Sequence, residues 1–229
     1  MQDISSINHS IYSESEKNQL KYVGELLQSE SDLKILMDWM ISAREQSTNL
    51  ALGKAYHSLS LNSSPTVRNF LNEHFPSGVV PLKSEREIDY LPLQQLLAQH
   101  DFQAADAMTL QKMCELAGAA AIERKWIYFT EVVTLPVADL RTLDWLWLMS
   151  SEGKFGFSVQ RRIWLSLGKD FNKLWTAIEW KSDNAWTRYP TEFTWDLSAA
   201  RGHLPLSNQL RGVRVIDAIF AHSAWTRQS

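Results

Sequence analysis

The chain has 229 residues, 45% of them hydrophobic and 21% charged, with a formal net charge of -3. This composition is typical of a globular protein that buries a core in one or two domains. The slightly acidic balance gives no electrostatic reason to expect a nucleic-acid partner. The single cysteine, Cys114, excludes an internal disulfide framework and fits a reducing compartment.

The opening segment, MQDISSINHSIYSESEK, contains acidic residues and lacks an apolar stretch. It therefore resembles neither a signal peptide nor a basic transit peptide. No segment of the chain approaches the roughly 20 consecutive apolar residues that a membrane-spanning helix requires. These features predict a cytoplasmic protein.

The first part of the chain, from residue 13 to about 75, predicts short amphipathic helices. One of them follows Ser31 or Asp32 as its N-cap, and another begins at Pro65. Helices of this length with short polar connections predict an up-and-down bundle or a stack of helix pairs. No fixed-period repeat supports a strict solenoid.

The Pro- and Gly-containing segment 76–84 predicts a domain boundary. We expect an N-terminal helical bundle over residues 1–82 and a second domain over residues 83–229. Nine of the ten tryptophans lie from Trp126 onward, which indicates that the two domains have different roles.

The second domain also shows helical periodicity, and no convincing alternating strands, so the predicted fold class is all-α. Capping residues and glycines divide it into helices that begin near Asp89, Asp101, Asp139, Ser158 and Asp170. We interpret Asp139 as an N-cap, residues 118–125 as a loop of small residues, and residues 180–204 as irregular. A last helix is predicted from about Pro205 to Ala221, with four apolar residues buried: Leu210, Val213, Ile216 and Phe220.

The irregular segment is the strongest indication of function. Phe193, Trp195 and Leu197 argue against disorder, and a long aromatic loop that cannot cover itself is usually functional. The predicted helix after it carries three polar residues spaced three apart, which form one slowly winding stripe: Asn208, Arg211 and Arg214. Because guanidinium groups pair with carboxylates, this pattern predicts a site for a flat apolar ligand that carries two carboxylates.

The motifs of catalytic and metal sites do not occur. There is no phosphate-binding Gly-rich loop, no H-E-x-x-H pattern and no G-x-S-x-G elbow, and Cys114 is interpreted as a core thiol. We expect no catalytic residues and no metal site. One alternative remains open from the residues: a helical interaction module that binds a peptide in a concave face, with the arginines as rim charges.

Several motifs resemble those of the genomes-uncoupled-four family. They are Ala105-Asp106, the run from Asp139 to Trp147, Phe155-Gly-Phe-Ser-Val-Gln160, Ile163-Trp164, Trp180 with Trp186, and Gly202-His-Leu-Pro205. The match extends in order over residues 86–222, and the FGFSVQ and GHLP elements together are specific. The N-terminal segment resembles the additional bundle of cyanobacterial members.

This resemblance implies a non-catalytic protein of chlorophyll biosynthesis and photosynthesis, with an all-helical, cupped porphyrin-binding core domain. It implies binding of protoporphyrin IX and Mg-protoporphyrin IX, and stimulation of magnesium chelatase together with the large porphyrin-binding subunit of that enzyme. It further implies a monomer that associates peripherally with photosynthetic membranes. An enzyme acting on a porphyrin is disfavoured, because no base, nucleophile or metal set is visible.

The resemblance also assigns residues. Phe129 takes the place of an apolar residue on the concave face of the cupped domain. Tyr189 takes the place of the aromatic residue before the loop. Asn208, Arg211 and Arg214 take the places of the asparagine and arginines after it. Residues 189–206 correspond to a mobile lid whose apolar members are Phe193, Trp195, Leu197, Leu204 and Leu206. We expect Arg211 and Arg214 to hold propionates, Tyr189 and Phe129 to contact the ring, and Asn208 to approach a propionate or, through a water, a bound magnesium.

Overall fold

The structure is a computed structural model that describes residues 11–12, 14–27, 29–44, 49–182, 185–206 and 213–226. Over these residues the chain is helical apart from turns, loops and one two-stranded antiparallel hairpin, which confirms the all-α prediction. The chain divides into two compact units, Met1–Pro81 and Leu82–Ser229. In the described part of the chain, no helix is long and apolar enough to cross a membrane.

Over its described residues, the N-terminal unit contains four helices of regular length: α1 (Glu16–Leu26), α2 (Glu30–Ala43), α3 (Leu50–Ser60) and α4 (Pro65–His74). Helix α3 packs against α1, α2 and α4, and its Ala51, Ala55 and Leu59 are buried. The N-cap of α2 is Ser29, whose hydroxyl accepts from the Asp32 amide at 3.3 Å. The expectation of a cap at Ser31 or Asp32 was therefore wrong, because the cap lies two residues before Ser31 and three before Asp32.

The C-terminal unit is built from shorter helices. In chain order they are α5 (Leu91–Ala98), α6 (Phe102–Ala117), α7 (Ala119–Arg124), α8 (Phe129–Val132), α9 (Val137–Ser150), α10 (Phe157–Ser166), α11 (Phe171–Ala177) and α12 (Arg214–Ala221), followed by a 3-10 turn, Ser223–Trp225. Strands β1 (Lys181–Ser182) and β2 (Ala185–Trp186) form the hairpin between α11 and the long loop, with Lys181 opposite Trp186.

The core of this unit is an aromatic cluster around Trp147, whose side chain is fully buried. The Phe102 ring stacks on the Trp147 ring at a centroid distance of 5.9 Å, and the Phe155 ring meets it edge-on at 6.4 Å. The Trp147 indole N–H donates to the hydroxyl of Thr109 at 2.9 Å. Because a buried indole needs such a partner, Thr109 completes this cluster.

Three sequence predictions for this unit were wrong, concerning residues 118–125, Asp139 and Val213. Residues 118–125 are not a loop, because Ala119–Arg124 form helix α7 between Gly118 (φ 104°) and the left-handed Lys125 (φ 62°). Alanine is the best helix former, so the small residues within this segment favour a helix. The helix ends are set by Gly118 and Lys125, whose positive φ angles interrupt the chain on either side.

Asp139 is likewise not an N-cap. It is fully buried in the first turn of α9, where its carboxylate accepts from the Glu85 amide and the Tyr90 hydroxyl, each at 2.8 Å. A capping role belongs instead to Asp144, whose carboxylate accepts from the Ser158 amide at the start of α10. Burial raises the pKa of Asp144 to about 6. These contacts join segments distant in sequence, so spacing alone does not reveal them.

The last helix is described from Arg214 to Ala221. The earlier part of the predicted helix, including Leu210, falls on residues 207–212, which lie outside the described residues. Ile216 and Phe220 are buried as predicted, but Val213 is 41% exposed. The buried stripe of α12 is completed instead by Val215 and Ile219, so the apolar face is rotated from the predicted one.

Candidate ligand-binding site

The loop after the hairpin is held to the core through His203. The ring Nδ1 of His203 lies 2.7 Å from the carbonyl oxygen of Ile178, and its Nε2 accepts from the Thr194 amide at 3.3 Å. Since a carbonyl can only accept, the proton lies on Nδ1. Burial lowers the pKa of His203, which favours this neutral ring. The carbonyl of His203 in turn accepts from the Trp180 indole at 2.7 Å.

The FGFSVQ and GHLP motifs are joined by hydrogen bonds. The Gly156 amide donates to the Leu204 carbonyl at 3.0 Å, and the side-chain amide of Gln160 donates to the carbonyls of Gly202 and Pro205 at 3.0 and 2.8 Å. A Cβ atom at Gly202, which has φ 83°, would lie 2.8 Å from Cδ1 of Ile163. The positive φ, together with this close side-chain neighbour, favours glycine there. The two motifs form one structural unit.

The outer part of the loop carries three aromatic rings in mutual contact: Tyr189, Phe193 and Trp195. The Tyr189 ring meets the Phe193 and Trp195 rings edge-on at 6.0 and 5.8 Å. The Trp195 indole donates to the Pro190 carbonyl at 2.9 Å. Tyr189 is 45% exposed and Trp195 is half-buried, whereas Phe193 is buried. Tyr189 is therefore the most exposed ring of this cluster.

The predicted lid residues do not share one environment. Phe193 and Leu204 lie in the core, and Trp195, Leu197 and Leu206 are half-buried. The side chain of Lys154 donates to the Leu197 carbonyl, and the Lys154 carbonyl accepts from the Gly202 amide at 2.9 Å. In this structure the described part of the loop is thus packed and hydrogen-bonded, and Phe193 and Leu204 help to hold it in place.

The end of the loop is bound to helix α6 by a buried carboxylate. Oδ1 of Asp106 accepts from the Leu206 amide at 2.7 Å, and Asp106 is only 4% exposed. The charge of Asp106 also acts on the phenol of Tyr189, where burial and this carboxylate together raise the pKa. Asp106 therefore holds the end of the loop on α6.

The next turns of α6 line a cavity of about 350 Å³, within the size range of small-molecule sites. Its lining residues come from α6, from α7 and from the residue that follows α7: Ala107, Leu110, Gln111, Cys114, Glu115, Ile122 and Lys125. Ile122 is 51% exposed, so an apolar side chain stands at its edge. The Cys114 thiol is buried here, which raises its pKa to about 11 and keeps it protonated.

Helix α7 is joined to the surface that carries Phe129 and Arg214. Arg124 forms a salt bridge with Glu131 of α8 at 2.7 Å, and its guanidinium lies 4.5 Å from the centroid of the Tyr128 ring. Helix α8 packs against α12. The guanidinium of Arg214 lies 5.4 Å from the centroid of the Phe129 ring, a cation–π distance.

This surface is apolar and open. Phe129 is 38% exposed, and its exposed apolar neighbours along the chain include Tyr128 and Val133. Contiguous exposed apolar side chains mark binding surfaces on proteins of this size. We call the surface formed by Phe129 and Arg214 the open apolar site.

The structure brings together two of the residues predicted from the sequence, Phe129 and Arg214. Tyr189 stands at the loop cluster, and the end of this loop is bound to α6 through Asp106. Asn208 and Arg211 lie outside the described residues. The sequence analysis named Asp106 as part of a family motif but missed its bond to the loop. It also missed the cavity-lining face of α6, although Ala107, Leu110, Gln111 and Cys114 have the i, i+3, i+4, i+7 spacing of one helix face. Within the described ranges, no group of three or more His, Cys, Asp or Glu side chains has the arrangement of a metal site.

Fold and site together define an all-α protein with an open apolar site bordered by a cation. The GUN4-like family model matches residues 83–223, and the model described as ARM-like repeat domain, GUN4-N terminal, matches residues 1–76. The chain belongs to the GUN4 family, which confirms the family indicated by the sequence motifs.

Individual relatives agree with this assignment. The chain is 46% identical over 227 residues to the Ycf53-like protein of Synechocystis sp., covering 98% of this chain and 97% of that protein. It is 37% identical over 142 residues to the chloroplastic tetrapyrrole-binding protein of Arabidopsis thaliana, covering 58% and 54% of the two chains. The structure of GUN4 from Chlamydomonas reinhardtii matches with a TM-score of 0.61 at 40% identity, covering 65% of this chain and 95% of that one.

Proposed function

We propose that this protein binds porphyrins, protoporphyrin IX and Mg-protoporphyrin IX among them, at the open apolar site. The observation that carries the proposal is the pairing of an exposed aromatic ring with a cation, Arg214 over Phe129. The name of the Arabidopsis relative, a tetrapyrrole-binding protein, supports this ligand class.

The chemistry of the ligand fits these residues. A porphyrin is a large apolar plate, and its burial contributes roughly 25 cal/mol per Å² before the costs of binding are subtracted. Phe129 and the apolar edge at Ile122 offer area to such a plate. The propionates are costly to bury unpaired, and the guanidinium of Arg214 supplies a planar, bidentate partner.

The remaining assigned residues complete the proposal. Tyr189 contacts the macrocycle edge or face, and Arg211 pairs with a second propionate. Asn208 approaches a propionate or, through a water, a bound magnesium. Residues 189–206 act as the lid over the ligand, with the half-buried Trp195, Leu197 and Leu206 as its contact residues and Phe193 and Leu204 as its support.

At the level of the pathway, we propose a non-catalytic accessory role. The protein stimulates magnesium chelatase in chlorophyll biosynthesis and acts with the large porphyrin-binding subunit of that enzyme. It works as a monomer, in the cytoplasm and peripherally at photosynthetic membranes. Membership of the GUN4 family supports this role. We further propose two domains, an N-terminal helical bundle over 1–82 and a porphyrin-binding core over 83–229, which the two family matches support.

A titration with deuteroporphyrin tests the proposal. We expect a red-shifted Soret band and saturable quenching of tryptophan fluorescence in the wild type. Arg214→Ala should raise the dissociation constant about tenfold, because one charge-assisted contact is lost, without changing the urea midpoint. Arg162→Ala is the matched control, since Arg162 is exposed on α10 and donates to the Ser158 carbonyl of its own helix.

The possible outcomes separate the functional classes. An unchanged Soret band and unquenched fluorescence would favour a peptide-binding interaction module instead. Chemical turnover of the pigment would indicate an enzyme. Equal affinities of wild type and Arg214→Ala would show that the ligand lies elsewhere on the protein.

A further inference from the structure

Arg124, the last residue of α7, is bonded to the short helix α8 across the turn between the two helices. Its Nη2 atom donates to both carboxylate oxygens of Glu131, at 2.8 and 2.7 Å, and to the Trp126 carbonyl at 3.4 Å. Oε2 of Glu131 also accepts from the Tyr128 amide at 2.7 Å. Because Tyr128 is the N-cap of α8, one carboxylate joins the start of α8 to the end of α7.

Two aromatic rings hold the Arg124 guanidinium in place. It lies 5.1 Å from the centroid of the Trp126 ring and 4.5 Å from that of the Tyr128 ring, and the two rings are 4.3 Å apart. The Arg124 and Glu131 side chains are both half-buried. An exposed ion pair contributes little to stability, but here each partner has further contacts that fix its orientation. The pair is therefore a fixed connection between the two helices.

Helix α8 needs such support because it is a single turn, Phe129–Val132. A helix of one turn is unstable by itself, since nucleation costs more than its few hydrogen bonds return. On one side α8 packs against α12, where the Arg214 guanidinium lies over the Phe129 ring. On the other side Glu131 binds α8 to α7, which itself packs against α6. Phe129 is the first residue of this turn, so its backbone direction is set by the same contacts.

We infer that Arg124 is a positioning residue for the open apolar site, because its pair with Glu131 fixes α8 and thereby the orientation of the Phe129 ring. For its effect on affinity, this inference rests on the proposed porphyrin binding at Phe129. The fixing of α8 is a property of the ligand-free protein and does not depend on that function.

The first measurement is hydrogen exchange of α8 in ligand-free, full-length protein. The Glu131 and Val132 amides both donate to the Tyr128 carbonyl, at 3.0 and 3.2 Å, so they report on the turn directly. We expect both to exchange about tenfold faster in Arg124→Ala, because a charge-assisted contact is lost, while the amides of α9 exchange at the wild-type rate. Arg162→Ala is the control, since it removes an exposed arginine from α10 and should leave α8 unchanged.

Two results of this measurement would overturn the inference. One is unchanged protection of α8 in Arg124→Ala. The other is equal acceleration in α8 and α9, because Arg124 would then support the C-terminal unit as a whole and not the position of α8.

Glu131→Gln separates the position of α8 from the charge of Arg124. It keeps the length of the side chain and an acceptor oxygen for the Tyr128 amide, but it removes the anionic partner of Arg124. If Arg124 acted by attracting the ligand carboxylates, the loss of this negative charge would strengthen deuteroporphyrin binding. If Arg124 acts by fixing α8, the same substitution should weaken binding by about threefold, because a charge-assisted contact becomes a neutral one. Stronger binding by Glu131→Gln would contradict the inference.

Arg124→Lys tests the shape of the group in the same titration. It keeps the charge but not the planar group that lies beside the Trp126 and Tyr128 rings. We expect its affinity for deuteroporphyrin to lie between those of the wild type and Arg124→Ala. An affinity equal to that of the wild type would show that charge alone is sufficient, against the inference.

A double-mutant cycle with Phe129→Ala tests whether Arg124 acts through the ring. Arg124→Ala should raise the dissociation constant of deuteroporphyrin about fivefold in the wild-type background and by less than about twofold in Phe129→Ala, because coupled residues are not additive. An equal effect in both backgrounds would show that Arg124 does not act through Phe129. If the wild type bound no deuteroporphyrin, the proposed function would fail, while hydrogen exchange would still decide whether Arg124 fixes α8.

Discussion

The C-terminal unit contains two aromatic groups of opposite character. Around Trp147, the rings of Phe102 and Phe155 are fully buried, and the indole N–H has a hydrogen-bond partner in Thr109. On the surface, Phe129 of the open apolar site and Tyr189 of the loop are 38% and 45% exposed, and a guanidinium lies over the Phe129 ring. The rings around Trp147 make all their contacts within the protein, whereas Phe129 and Tyr189 present ring surface to solvent.

This difference separates stability from binding. Removing a buried ring leaves a cavity and an unpaired polar group, and both penalties fall on the folded state. Removing a half-exposed ring takes little from the folded state, because much of its surface already faces water. Substitutions in the two groups should therefore have effects on different measured quantities.

The largest effect is expected at Trp147. Trp147→Ala removes a fully buried side chain and should lower the free energy of unfolding by about 3–5 kcal/mol, measured by urea denaturation followed by far-UV circular dichroism. Trp147→Phe keeps a ring in the cluster and should cost clearly less. The dissociation constant of deuteroporphyrin, measured in the absence of urea and at low temperature, should stay near the wild-type value for Trp147→Phe. A large loss of affinity in a folded Trp147→Phe would show that the two aromatic groups are coupled.

A smaller effect, on ligand affinity and not on the free energy of unfolding, is expected at Phe129. Phe129→Ala should weaken deuteroporphyrin binding about tenfold, roughly 1.4 kcal/mol, because the site loses ring area and the contact that orients Arg214. The free energy of unfolding should change by less than about 1 kcal/mol. Phe129→Leu keeps most of the apolar area, so it should recover part of the affinity. Unfolding of Phe129→Ala at the same urea concentration as Trp147→Ala would contradict the distinction.

The fold followed closely from local sequence signals. The Asp101 and Asp170 caps predicted from the sequence are present, with side chains that accept from the Ala104 and Asn172 amides. Such signals act within a few residues, so a single sequence contains them in full. Asp139 differs, since its partners Glu85 and Tyr90 are about 50 residues away, at sequence separations of 54 and 49, and only the tertiary structure reveals them.

The site was predictable to a lesser degree. Aromatic loop residues and a nearby arginine identified the class of ligand, because these residue types match an apolar plate with acidic groups. The exposure of these side chains was not predictable. Phe193 and Tyr189 are both aromatic residues of the same loop, but Phe193 is buried and Tyr189 is exposed. The role of Asp106 depends on Leu206, which is 100 residues away, and no local spacing indicates it.

The smallest effect is expected at Tyr189, and it tests which part of an exposed aromatic side chain acts in binding. Burial, with a contribution from the charge of Asp106, raises the pKa of the Tyr189 phenol above its usual value, so the hydroxyl stays neutral at working pH. Tyr189→Phe keeps the ring and its edge contacts with Phe193 and Trp195. We expect its dissociation constant for deuteroporphyrin to lie within about twofold of the wild type, or roughly 0.4 kcal/mol.

Tyr189→Ala is the comparison variant for this position, and it should weaken binding several-fold because ring area is lost. If Tyr189→Phe weakened binding as much as Tyr189→Ala, the hydroxyl would be the acting group, as expected for a hydrogen bond to a propionate. Tyr189 would then contribute a polar group, as Arg214 does, and not an aromatic surface, as Phe129 does. If Tyr189→Phe binds nearly as well as the wild type, Tyr189 and Phe129 both contribute through their ring surfaces. This would hold although Phe129 belongs to the short helix α8 and Tyr189 to the loop.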